Sequence, residues 1–288
     1  MDLALIVLIQ VLYAIASLAL ISVGLAIIFG MMGVINFAHG EFLMMGGYAF
    51  VLSVGAGVNF WISMLVVAPV TVGIIGIIIE RLIIRHLYGR IMETVLATWG
   101  LSLFLIGLAA TVLGYHQKGV APPLGNVVIG TYREGGYTFF VIGITIVLLL
   151  IVYAGLKYTK FGLIARGTMQ NADMSSALGV SVNKIYAVTF GVGAALSGLA
   201  GAVLAPIAGV LPDIGVTYVI KAFITVISGG AVAFSGTVAA AILFGAVNQT
   251  VTFLSRPVVG EVALLVVAIV LLRLLPNGIT GKYFRKTL

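Results

Sequence analysis

Charge is almost absent from long stretches of this chain, and that absence limits its fold more than any other feature. No Asp, Glu, Lys or Arg lies between Asp2 and Glu41, or between Glu41 and Glu80. Further charge-free runs separate Glu93 from Lys118, Glu134 from Lys157, Lys184 from Asp213, and Lys221 from Arg256. A bilayer core about 30 Å thick needs roughly 20 apolar residues in helical form. Each run is long enough to cross once, and the longest can cross twice or break midway. Soluble domains carry about 25% charged residues. Here 8% are charged and 62% hydrophobic, more apolar surface than a soluble core can absorb, so lipid must cover part of it.

The sparse charges set the topology. The net charge of +7 fits a nucleic-acid partner poorly, because the basic residues fall between hydrophobic runs. Arg81, Arg85 and Arg90 follow the third helix. Lys157, Lys160, Arg166 and Lys184 mark a second segment, and Arg273, Lys282, Arg285 and Lys286 mark the tail. The positive-inside rule puts all three in the cytoplasm. Segments 115–137 and 208–218 then fall outside, as does the N-terminus. The apolar run Leu3 to Phe29 lacks a basic flank and exceeds the usual 7–15 residues of a signal-peptide core, so it reads as a retained first helix. No cysteine is present, which excludes disulfides, thiolate catalysis and cysteine-ligated metal clusters.

Gly, Pro and charge place the breaks. Helices are expected near 4–29, 40–57, 61–84, 94–114, 138–157, 184–207, 219–233, 236–254 and 259–275, with 219–233 a half-span or re-entrant piece. The expected fold is all-α: a polytopic bundle of about eight spans in a single membrane domain, 1–288. Glycine is abundant, at 37 residues, and the run Ala194 to Gly201 sets small residues four apart. Such faces let helix backbones approach closely in lipid, either for static packing or for sliding during a transport cycle. A weak internal repeat pairs Glu41 to Gly46-Gly47 with Lys221 to Gly229-Gly230, each an ionisable residue leading an apolar run that ends in paired glycine.

Polar residues inside apolar context are costly and face a cavity or a partner. The segment Asn36-Phe37-Ala38-His39-Gly40-Glu41 holds two ionisable groups. Two readings stand: a gate or pathway lining, or a structural network in which Asn36 caps the next helix and Glu41 accepts hydrogen bonds at its positive end. His39 and Glu41 do not form a zinc motif, since no HExxH spacing exists. Lys221 stands at an apparent helix start, to snorkel to the interface or line the path. Asn248, Gln249 and Thr250 sit in an apolar helix, where interhelical hydrogen bonding is the default. Segment 157–184 is far longer than an ordinary connection of about 4–6 residues. Within it Ala172 to Leu178 makes about two helical turns, capped by Asn171 and stopped by Gly179, a docking element for a cytoplasmic partner.

The pattern Arg166-x-x-x-x-Asn171 followed by Ala177-Leu178-Gly179-Val180 resembles the cytoplasmic coupling segment of LivH-type permeases. These are membrane subunits of ABC importers for branched-chain amino acids, urea and short amides. Asn36 to Glu41 is similar to the family's N-terminal signature, Lys221-Ala222-Phe223 with Gly229-Gly230 to a later one, and Arg273 to Ile279 with Gly281 to its ending. Gly167, Ser175, Ser176 and the link Ala231–Ser235 depart from the usual pattern. The resemblance implies a bacterial inner-membrane permease, not an enzyme, working with a second, LivM-type permease, two cytoplasmic ATPases and a periplasmic solute-binding protein. Arg166, Asn171, Ala172, Ser176, Leu178 and Gly179 would couple to the ATPase. No GxxxxGK[ST] occurs, so the chain has no P-loop for nucleotide phosphates; ATP and Mg belong to the ATPases, and this chain holds no cofactor or metal. Met92-Glu93-Thr94 with Thr98-Trp99 is similar to the urea and short-amide branch, although Trp99 also suits a lipid-boundary anchor. The expected pathway residues are therefore Asn36, His39, Glu41, Thr98, Trp99 and Lys221. The competing reading is a passive channel for small neutral solutes, which needs no docking helix. A membrane-embedded enzyme lacks a nucleophile motif or metal constellation.

Overall fold

The computed structural model describes residues 2–230 and 233–284. Ala231, Val232, Arg285 and Lys286 lie outside the described residues, and with them part of the 231–235 link and of the basic tail. The helices are α1 (Asp2–Met32), α2 (His39–Gly55) and α3 (Phe60–Ile62), the last running through a π-helical turn (Ser63–Val67) into α4 (Ala68–Leu82). A 3₁₀ turn (Ile84–Leu87) precedes α5 (Ile91–Leu113). A hairpin of β1 (Asn126–Ile129) and β2 (Tyr132–Gly135) leads to α6 (Gly136–Tyr158), α7 (Lys160–Gln170) and α8 (Ala172–Ala177). Then come α9 (Val182–Ala208), α10 (Ile214–Gly229), α11 (Ala233–Leu254), α12 (Pro257–Leu274) and α13 (Gly278–Phe284). The fold is an all-α polytopic bundle. Among the described residues, 7 helices are long and apolar enough to cross a membrane. Helix is forced there because hydrocarbon offers backbone N–H and C=O no outside partner. At about 1.5 Å per residue, α2 with 17 residues and α10 with 16 are shorter than the apolar core.

The chain divides into two compact units. One comprises residues 23–121 and 152–221 and is built around α9, the most deeply buried span. Its core joins Ile28, Phe42, Val72, Ile79, Phe190 and Ala194. Phe42 and Phe190 meet edge to face at 5.8 Å, a geometry worth about 0.5–1.5 kcal/mol beyond area. Glycine sets the helix separations. A Cβ at Gly46 of α2 would strike the Gly198 backbone of α9, one at Gly201 would strike the Leu43 carbonyl, and one at Gly76 of α4 would strike Ala194. The small-residue run Ala194 to Gly201 is therefore occupied by packing within this unit.

The other unit comprises residues 2–22, 122–151, 222–230 and 233–284. In it α11 packs on α12 and α13, Gly245 lies against the Ile15 backbone of α1, and Gly260 lies against Thr252. Gln249 Nε2 donates to Gln10 Oε1 at 3.2 Å, the interhelical bond expected of the polar residues in α11.

Several expectations are corrected. Segment 115–137 carries a strand pair that the sequence reading did not identify. Its residues Val127 to Glu134 pair as a hairpin with Ile129 opposite Tyr132. Gly130 has φ +60 while Thr131 has negative φ, the pattern of a II′ turn, which matches strand twist. The 157–184 segment holds two helices rather than one, because Thr159 Oγ1 accepts the Gly162 N–H at 3.0 Å and starts α7. Lys221 lies in the middle of α10, not at its start. The paired glycines of the internal echo also differ: Gly46-Gly47 sits inside α2, whereas Gly229 closes α10 and Gly230 has φ +87.

Candidate functional site

The chain leaves α1 at Gly33, which has φ +63, and crosses five residues before α2. Within this turn the Asn36 Oδ1 accepts the Ala38 N–H at 3.0 Å, an Asx turn that aims the chain into α2. The Phe37 N–H donates to Thr98 Oγ1 of α5 at 3.1 Å. Glu41, in the first turn of α2, accepts the Ser102 hydroxyl on Oε1 at 2.6 Å. Thr98 and Ser102 are one helical turn apart on one face of α5, so they fasten the entry to α2 at two points. His39 Nε2 lies 3.1 Å from Ser197 Oγ of α9. Ser197 Oγ also donates to the Gly193 carbonyl at 2.9 Å.

Asn36, His39, Glu41 and Thr98 are thus brought together, all at 1% exposure or less. Asn36, read from sequence as a cap, makes no cap bond to α2, and Glu41 accepts from Ser102, which pattern alone did not single out. The signal was present as a hydroxyl one turn beyond Thr98. Trp99 points the other way and is 56% exposed, as consecutive helix positions must diverge. Lys221 is half-buried, nearly two turns along α10 from Gly215. Gly215 itself abuts Gly40 and the Glu41 carboxylate, and a Cβ there would strike both.

A strap holds the start of α10 in place. Lys118 and Val210 exchange backbone hydrogen bonds of 3.0 and 2.7 Å, and Gln117 Nε2 donates to the Ala208 carbonyl at 2.9 Å. The hydrogen bond to Asp213 raises the Tyr115 phenol above its ordinary pKa, because ionisation would place two anions together.

The second candidate element is α7 with α8. Asn171 Oδ1 accepts the Met174 N–H at 2.9 Å, capping α8. Gly179, at φ +85, ends it in the left-handed region that favours glycine. Arg166 Nε donates to the Gly162 carbonyl at 3.3 Å. Ala172 opens α8 and Ser176 lies within it, its carbonyl accepting the Gly179 N–H at 2.9 Å. Leu163, Met169, Met174 and Leu178 are exposed, Leu178 at 78%. The polar cluster offers hydrogen bonding and one carboxylate. Among the described residues no group of three His, Asp or Glu lies together to hold a metal.

Comparison with known proteins bears on both elements. Residues 7–275 match a family described as "Branched-chain amino acid transport system / permease component". The chain is 31% identical to the high-affinity branched-chain amino acid transport system permease protein BraD of Pseudomonas aeruginosa, covering 93% of this chain and 92% of that protein. It is 27% identical to the permease protein LivH of Salmonella typhimurium over the same shares. It is 27% identical to a probable LivH of Methanocaldococcus jannaschii, covering 93% of this chain and 90% of that one. No solved structure matches it. These relatives are named for branched-chain amino acids, so the urea and short-amide leaning finds no support among them. Of the residues behind that leaning, Met92 is 77% and Trp99 56% exposed, while Thr94 and Thr98 are buried.

Proposed function

This chain belongs to the branched-chain amino acid transport system permease family, and on that premise we propose that it forms half of the membrane pathway of an ATP-driven importer for small neutral α-amino acids. The observation that carries the reading is the family match over residues 7–275. Beside it stands the capped α7–α8 element, whose exposed Leu163, Met174 and Leu178 suit a groove on a cytoplasmic ATPase. Apolar anchors on a short helix engage a partner groove in this way. ATP and Mg are held by the ATPases. A second permease completes the pathway, and a binding protein outside the membrane delivers the solute. The assembly sits in the cytoplasmic membrane, with the N-terminus outside and α7–α8 and the C-terminus inside. Nucleotide closure pushes α7–α8, and the permease pair alternates between outward and inward openings.

The test is affinity purification of this chain from its native membrane in mild detergent, with mass spectrometry of its companions. Recovery of a P-loop ATPase and a second permease is expected, and the co-encoded binding protein should take leucine in titration. Recovery of this chain alone as a stable homo-oligomer would favour the passive channel. A binding protein that takes urea or acetamide and refuses leucine would move the substrate to amides.

A further inference from the structure

Two polar atoms of the segment leading into α2 have no partner although both are sealed from solvent. Glu41 is 0% exposed and Asn36 1%. Glu41 Oε1 is engaged by Ser102 and Asn36 Oδ1 by the Ala38 N–H, yet Glu41 Oε2 and the Asn36 Nδ2 amide are bonded to nothing. A buried carboxylate oxygen without a donor is expensive, and an ionisable group at membrane depth marks a pathway more often than a scaffold. One of the two atoms is a carboxyl oxygen, and the other is a neutral two-proton donor.

Thr98 holds the residue after Asn36, and Ser102 holds Glu41, from successive turns of α5. An acceptor and a donor held on one segment suit a ligand carrying a cation and an anion on neighbouring carbons. We propose that Asn36 and Glu41 form the subsite for the zwitterionic head of an α-amino acid in transit. Glu41 Oε2 accepts from the ammonium, and Asn36 Nδ2 donates to the carboxylate. A neutral amide would satisfy the same two atoms less well, because hydrogen bonds to a charged partner are about twice as strong. The inference rests on the amino-acid reading of the substrate given above.

Access follows from what covers Glu41. The start of α10 lies on it through Gly215, whose backbone also meets Gly40. The contact between the two glycines has no interlocking side chains. The strap at Gln117 and Lys118 holds the turn before α10.

The experiment uses the full assembly, binding protein included, in proteoliposomes. Glu41→Gln keeps an oxygen for Ser102 and removes the charge. It should lower ATP-driven leucine uptake about tenfold or more, as loss of one charged contact implies. The apparent Tm should stay at the wild-type value. Unchanged leucine uptake by the variant overturns the inference alone. A fall in uptake matched by a fall in Tm also overturns it, assigning Glu41 a structural part. A second measurement needs no variant: photo-leucine, a diazirine analogue, is activated during turnover and its adducts are mapped on this chain. Adducts within 36–48 or 94–105 support the subsite, and adducts confined elsewhere refute it. A wild-type assembly that moves urea and not leucine overturns the amino-acid reading and this inference with it.

Discussion

His39 of α2 and Ser197 of α9 stand 158 positions apart in sequence and 3.1 Å apart in space. Ser197 also donates to the Gly193 carbonyl, and its contact with His39 ties α2 to the most buried helix. Ser102, from α5, donates to Glu41 Oε1. Ser197→Ala and Ser102→Ala should each lower stability by about 1–3 kcal/mol, the cost of removing one partner from a buried polar group. Thermal unfolding of the purified chain in detergent checks this, and an unchanged Tm for both variants would show the bonds to be incidental.

Glycines of this chain fall into two groups that substitution should separate. At Gly46 and Gly201 an added Cβ meets backbone, while at Gly107 and Gly143 it meets nothing within 4 Å. Gly46→Ala and Gly201→Ala should cost about 1–3 kcal/mol through overpacking. Gly107→Ala and Gly143→Ala should be neutral or stabilise by up to about 1 kcal/mol, since helix interiors favour Ala over Gly. Folded yield of the four variants, read by size exclusion, orders them; equal yields would contradict the packing described.

The capped helix pair offers a test of coupling apart from folding. Asn171→Ala removes the α8 cap, worth about 1 kcal/mol locally. Gly179→Pro cannot adopt φ +85. Both should insert normally and recover less ATPase on purification, with Gly179→Pro abolishing uptake. Full transport by Gly179→Pro would remove the docking role from this segment.

Neighbouring positions on α5 should behave oppositely. Trp99 is exposed while Thr98 is buried and holds the Phe37 N–H. Trp99→Leu should leave solute preference and stability unchanged. Thr98→Val keeps the volume and loses the acceptor, for a loss of about 1–3 kcal/mol. Competition uptake with leucine, urea and acetamide reads the first variant. A switch of preference in Trp99→Leu would restore Trp99 to the pathway.

Tyr88 lies outside the spans and donates to Glu80 Oε1 at 2.6 Å. Burial, reinforced by that bond, raises its phenol above the ordinary value. Its ionised form is thus disfavoured in the fold, and Tyr88 should stay protonated in mild alkali that ionises exposed tyrosines. Ultraviolet difference titration of wild type against Tyr88→Phe checks this, and an identical curve up to the ordinary tyrosine range is the expected result.

Sequence alone determined the membrane class, the long spans and the family, because charge-free runs and local caps are properties of contiguous residues. Asn171 before α8 and Gly179 after it were legible for that reason. The hairpin at 126–135 and the start of α7 at Thr159 carried local turn and cap signals that the apolar pattern overshadowed. Tertiary structure decided which polar residues meet. Ser102 and Ser197 reach Glu41 and His39 from helices 61 and 158 positions away, and no local spacing encodes such a pairing. It decided too that Thr98 faces inward while Trp99 faces out, because the rotation of α5 about its axis is fixed by what packs against it. Lys221 looked like a helix start for the same reason: α10 begins where the strap and Gly215 hold its first turn, a constraint that comes from the far side of the unit.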